Sequence, residues 1–197
     1  MNLLLTSSGL KNKKIRDFFI ETAGDIKDKR IGMVTSSQSP GGQKYIDDSI
    51  AEVEELGMIP YEVNISTNNF FDDLFEIDLW YVCGGNTYHI WKNIQRTGLD
   101  QILLRDIQIG KYYIGVSAGS IISSQDIIAA GWGNDGDVQE DQGMLTTGLG
   151  IVDFYILPHY NKVRHQEDVE TLFEKTKQTV IGLTDEQAVY VTEQEKN

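Results

Sequence analysis

Apolar positions along this chain fall into two kinds of run. The first kind is short and apolar nearly throughout. Residues 2–6 (NLLLT), 30–36 (RIGMVTS), 58–64 (MIPYEVN), 78–84 (DLWYVCG), 112–117 (YYIGVS), 154–158 (FYILP) and 179–184 (TVIGLT) belong to it. Most carry branched or aromatic residues and end in Gly, Ser, Pro or Asn, so they read as strands. They do not alternate apolar with polar, which is the pattern of a parallel sheet covered on both faces. The second kind recurs at helical spacing. Ile46, Ile50, Val53 and Leu56 share one face of a segment that Gly57 would cap, and Val169, Leu172 and Phe173 do the same further on. Strand–helix alternation over the whole length predicts the α/β class: one doubly wound domain over residues 1–197, its sheet mostly parallel, with helices on both faces. The end, GLTDEQAVYVTEQ, reads as a hairpin that finishes the sheet. Residues 131–150 are Gly-rich and acidic and form the one long loop, a common place for function.

Composition narrows the function classes. With 197 residues the chain is long enough for one domain with a sizeable core. A formal charge of -13 is the wrong sign for a nucleic-acid binder. Cys83 is the single cysteine, so no disulfide can form within the chain and a reducing compartment is expected. The first residues, MNLLLTSSGLKNKK, lack the basic start and long apolar run of a secretory signal. No stretch approaches the roughly 18 apolar residues of a membrane span. The expectation is a soluble cytoplasmic protein, monomer or homodimer, with no nucleic-acid or membrane partner.

The chemistry should lie beyond the C-terminal ends of the strands, where open α/β sheets bind ligands. Gly115-Val116-Ser117-Ala118-Gly119 fits the G-x-S-x-G elbow, in which a serine stands on a sharp strand-to-helix turn. Small neighbours let strand and helix come close. The bland alternative is a tight turn whose serine caps the next helix. Gly84-Gly85-Asn86-Thr87 follows another strand. The Gly85 amide could join that of Ala118 as an oxyanion donor, or the turn could simply present Asn86 as a helix cap. His159 follows the strand ending in Pro158 and is the best-placed base. His89 and His165 fall on predicted helices. A carboxylate should orient the imidazole. Between Ser117 and His159 the chain offers Asp126, Asp135, Asp137, Glu140, Asp141 and Asp153, and composition does not choose among them. Cys83 lies inside an apolar strand and reads as a buried small hydrophobe. No cofactor or metal is implied, since there is neither a G-x-G-x-x-G nor a His/Cys set at ligand spacing.

Taken in order, CGGNTYHIW, GVSAGS and LPHYN resemble the peptidase S51 family, which includes peptidase E and the cyanophycinases. The resemblance runs from the first strand to the C-terminal segment. It implies a fold similar to class I glutamine amidotransferases, with serine at the elbow. It implies Ser117 as nucleophile, His159 as base, and Gly85 and Ala118 as oxyanion donors. The orienting carboxylate then falls on Asp135, with Asp126 and Asp137 as alternatives because the 131–150 loop resembles an insertion. Arg164 matches the family's substrate-carboxylate arginine, and Asn86 and His89 fall near the pocket wall. The implied activity is a serine-type peptidase acting on short peptides, with an acidic residue before the cleaved bond.

Two other functions fit parts of the pattern. An esterase of the α/β-hydrolase type would share the elbow and the Ser…Asp…His order, but H-G-G-G is missing and the chain is short. A catalytically idle ligand-binding protein would keep the elbow without a competent carboxylate.

Overall fold

The computed structural model describes residues 1–36, 42–67, 74, 76–133, 135–139 and 146–192. Of strands β1 (Asn2–Thr6), β2 (Arg30–Thr35), β3 (Ile59–Asn64), β4 (Leu79–Val82) and β5 (Tyr112–Val116), the first three are separated by helices α1 (Lys13–Ala23) and α2 (Gly42–Glu55), and the last two by α3 (Thr87–Thr97) and α4 (Leu99–Gln108). A short helix α5 (Ala118–Ile122) follows β5 directly. After it come β6 (Tyr155–Pro158), α6 (Lys162–Thr176), β7 (Val180–Leu183) and β8 (Ala188–Thr192). The main sheet has six strands in the order β3-β2-β4-β5-β1-β8. All its pairings are parallel except β1 with β8. The fold is the expected α/β class, a mostly parallel sheet with helices on both faces.

The all-apolar strands follow from this placement. In β1, Leu3 and Leu5 face one core while Leu4 faces the other. In β4, Trp80 and Val82 pack on one side, Leu79 and Tyr81 on the opposite side. The first core is closed by Ile90, Trp91 and Ile94 of α3 and Leu103 and Ile107 of α4. The second is closed by Ile15 and Phe19 of α1 and Val53 of α2. A side chain that emerges from either face therefore leaves water, worth about 25 cal/mol for each Å² of apolar surface buried. One polar network sits inside this arrangement. The fully buried Asp106 carboxylate accepts from Trp80 Nε1 at 2.9 Å, Lys111 Nζ at 3.0 Å and Arg105 at 2.7 Å.

The C-terminal hairpin is not formed. β7 pairs with β6 in a separate parallel two-stranded sheet, and β8 crosses to the edge of the main sheet, antiparallel to β1. Two packing features favour this split. Gly182 of β7 lies under the Tyr160 ring, where a Cβ would sit 2.5 Å from the ring. Tyr190 of β8 stacks with Tyr112 and meets Phe18 edge-on, and its hydroxyl donates to Asn2 Oδ1 at 3.0 Å.

Candidate active site

β5 ends in a turn that only this residue pattern allows. Ser117 has φ 49° and ψ -104°, an unfavourable backbone for a residue with a Cβ. A Cβ on Gly119 would stand 2.4 Å from the Val82 carbonyl oxygen, and one on Gly115 would stand 2.8 Å from Gly119 backbone atoms. Strand and helix touch there, so both positions need glycine. The turn is also tied down from below. The Ser120 hydroxyl is fully buried, accepts from the Thr6 amide at 2.9 Å, and lies 2.8 and 2.9 Å from the Thr6 and Gly115 carbonyls.

β6 delivers the base. His159 follows Pro158 with φ 56°, again in the left-handed region. Its Nε2 is 3.1 Å from Ser117 Oγ, and its Nδ1 is 2.7 Å from Asp185 Oδ1. An ionised carboxylate can only accept, so Nδ1 carries the proton and Nε2 is left to accept from the serine hydroxyl. His159 and Asp185 side chains are 53% and 59% exposed, so the line of three opens to solvent. Partial burial raises the Asp185 carboxyl, but hydrogen bonds from Ser8 and His159 and the charge of Lys11 outweigh it and hold it below its ordinary range.

The carboxylate at His159 is therefore Asp185, not Asp135. Asp135 accepts from Arg164 at 2.7 Å and lies 3.3 Å from His165 Nε2. Asp126 accepts from the Tyr155 hydroxyl at 2.8 Å and the Ile128 amide at 2.9 Å. Asp137 accepts from the Thr87 amide at 2.8 Å at the start of α3. Asp153 is exposed, and Glu140 and Asp141 lie outside the described residues. Asp185 was reachable from the sequence. It stands just past the apolar run 179–184, so the rule that selected His159 at a strand end also selects Asp185. Ser117 and His159 leave strands of two different sheets, and β7, the partner of β6, brings Asp185 to the same edge with Pro158 opposite Leu183.

The remaining expected positions divide. Gly85 has φ 144°, and a Cβ on Gly84 would lie 3.3 Å from Ser117 Cβ, so this turn lies against the nucleophile. Among the described residues neither the Gly85 nor the Ala118 amide donates to a protein acceptor. Asn86 caps α3, accepting from the His89 amide at 2.9 Å, and donates to the Val138 carbonyl at 3.1 Å. His89 Nε2 lies 3.2 Å from Asn93 on its own helix. Among the described residues, neither is part of the lining of the two cavities that flank Ser117. Arg164 does reach a cavity wall, but its guanidinium is already paired with Asp135.

Two cavities flank the Ser117–His159 pair. One, of about 300 Å³, is lined by Ser7, Ser8, Lys11, Tyr45, Cys83 and Gly85 among others. The other, of about 240 Å³, is bounded by Trp132, Asp135, Asp137, Arg164, His165 and Asp168. Among the described residues no three His, Cys, Asp or Glu side chains form a metal-binding group, and no helix is long and apolar enough to cross a membrane. Burial pushes the Cys83 thiol up to about 12.

Comparison with known proteins finds a family match and relatives along most of the chain. Residues 3–197 match the family described as Peptidase family S51. An uncharacterized peptidase of Pasteurella multocida (strain Pm70) is 33% identical over 164 residues, covering 80% of this chain and 78% of the relative. Another, from Listeria monocytogenes serovar 1/2a, is 30% identical over 198 residues, covering 96% and 94%. A crystal structure of a candidate peptidase E protein from Listeria monocytogenes EGD-e superposes with a TM-score of 0.80 at 27% identity, covering 96% of this chain and 93% of that one.

Proposed function

Because this chain belongs to peptidase family S51, we propose that it is a serine-type peptidase that cleaves short peptides with Ser117 as nucleophile. The observation that carries the reading is the unbroken line Asp185–His159–Ser117, with contacts of 2.7 and 3.1 Å. His159 Nε2 takes the hydroxyl proton as Ser117 Oγ bonds to the scissile carbonyl carbon. Asp185 holds the Nδ1 proton and offsets the positive charge that forms on the ring. The carbonyl oxygen becomes an oxyanion, and the amides of Gly85 and Ala118, unengaged among the described residues, are the donors for it. When the tetrahedral species collapses, the C–N bond breaks and the leaving amine takes the proton from Nε2. Water, activated by the same nitrogen, then releases the acyl group from Ser117.

Short substrates fit the space. At about 300 and 240 Å³, the two cavities stand at and just below the lower limit of the roughly 300–1,000 Å³ usual for ligand pockets. An acidic residue before the cleaved bond has less support. Asp135 already occupies the guanidinium expected to read it, and that cavity holds Asp135, Asp137 and Asp168 against Arg164.

Screening a library of Xaa-dipeptides, with simple esters as controls, tests the reading. Release of free amino acids, abolished in Ser117→Ala, is expected. Ester turnover with no peptide cleaved by the folded protein would overturn it.

A further inference from the structure

Two consecutive residues at the C-terminal end of β1 each touch a different member of the Ser117–His159–Asp185 line. The Thr6 carbonyl accepts the Ser117 amide at 2.9 Å. Ser7 Oγ accepts the His159 amide at 3.1 Å and donates to the Leu183 carbonyl at 2.6 Å. We propose that Thr6-Ser7 is a positioning segment that sets the nucleophile against the base and against the strand that carries the carboxylate, with Ser7 as its central residue. This rests on the peptidase reading of the same site.

The topology gives such a segment a purpose. Ser117 comes from the six-stranded sheet, whereas His159 and Asp185 come from the two-stranded one. Strands of separate sheets share no ladder, so apart from apolar packing of β6 on α5 no β-ladder sets their distance to Ser117. β1 lies beside β5 with Thr6 opposite Val116, so Ser7 emerges next to the elbow. From there one hydroxyl reaches both strands of the smaller sheet. It has a single proton, and the Leu183 carbonyl can only accept it. The lone pairs are left for the His159 amide. Ser7 is 1% exposed, so neither bond is readily replaced by water. The amide it holds belongs to a residue at φ 56°, a conformation that persists where its surroundings fix it.

The segment itself is held firmly. Thr6 Oγ1 donates to the Gly115 carbonyl at 3.1 Å and accepts from the Gly9 amide at 3.0 Å. Gly9 has φ 72°, and a Cβ there would strike the Tyr81 hydroxyl at 2.3 Å. The turn after Ser8 therefore cannot drift.

Three variants test the role, assayed on a dipeptide that the wild type cleaves, with kcat normalised to sites titrated by a fluorophosphonate. Ser7→Ala is expected to lower kcat roughly 10- to 100-fold with KM within about two-fold, since a small misplacement of reacting groups has that effect. Ser7→Thr keeps the hydroxyl and restores most of the rate. Ser7→Cys keeps nearly the same volume with only a weak S–H donor, and is expected to lower kcat in the same direction by a smaller factor. If Ser7→Ala fails to fold, Ser7→Cys decides alone. Unchanged kcat per titrated site in Ser7→Ala or in Ser7→Cys would overturn the positioning role. Ser117→Ala, run alongside, keeps the two readings apart: wild-type turnover by that variant brings down the assignment of Ser117 as nucleophile, on which the proposal rests.

Discussion

His159 Nδ1 stands 2.7 Å from the Oδ1 of Asp185, a residue that comes after it in the chain and ends the neighbouring strand. The order along the sequence is therefore Ser, His, Asp, and the acidic loop between Ser117 and His159 supplies no carboxylate to the imidazole among its described residues. Asp185→Asn should keep the fold and lower kcat by about 10²- to 10⁴-fold, because the amide can present a donor to Nδ1 and favour the wrong tautomer. Asp135→Asn should leave kcat on a neutral dipeptide within a few-fold. Steady-state kinetics of the two variants decide the matter, and the reverse ranking would return the role to Asp135.

The Arg164–Asp135 pair makes a prediction about specificity. While Asp135 is present, Arg164→Ala should change kcat/KM for Asp-Xaa and Asn-Xaa dipeptides by similar factors. Asp135→Asn should release the guanidinium and raise the relative preference for the acidic substrate, by roughly ten-fold for a contact of about 1.4 kcal/mol. A large, selective loss on Asp-Xaa in Arg164→Ala alone would show that the pair opens to read substrate.

Cys83 lines the larger cavity, yet burial holds its thiol up at about 12. Thiolate, not thiol, reacts with alkylating agents. Iodoacetamide at pH 8 should therefore leave peptide hydrolysis intact over hours. Rapid stoichiometric loss of activity with Cys83 carboxamidomethylated would contradict the assignment of this residue to the core.

Acid stability should depend on Asp106. Burial raises its carboxyl, but hydrogen bonds from Trp80, Lys111 and Arg105 prevail and lower it. A carboxyl held lower in the folded state contributes stability above its unfolded value, near 3.9. That contribution is lost as pH falls through the folded value. Asp106→Asn should then cost about 1–3 kcal/mol at pH 7. The gap to wild type should narrow below about pH 4. Urea unfolding at the two pH values measures this, and a gap that widens in acid would reverse the sign.

The sequence made the sheet legible because strands covered on both faces must be apolar throughout, and Leu3, Leu4 and Leu5 show why: consecutive residues enter opposite cores. Ser117 and His159 were legible because each ends such a run. Asp185 escapes a reading confined to the segment between Ser117 and His159, although Thr184 and Asp185 end a run of the same kind. The hairpin misreading has a physical source as well. Local spacing at 182–194 suits a turn, while the choice of partner depends on Tyr160 above Gly182 and on Tyr190 against Tyr112, contacts that no window of sequence contains. Ser7 gave no signal, since a serine after a strand looks like part of any loop.

Mapping the adduct of a fluorophosphonate by peptide mass spectrometry, while following peptide hydrolysis, tests the central claim most directly. The hydrogen-bonded line through His159 makes Ser117 Oγ the activated hydroxyl, so one adduct per chain on Ser117, formed in step with complete loss of hydrolysis, is the predicted result. Hydrolysis that survives full modification of Ser117, or is lost with Ser117 unmodified and another residue labelled, would contradict it.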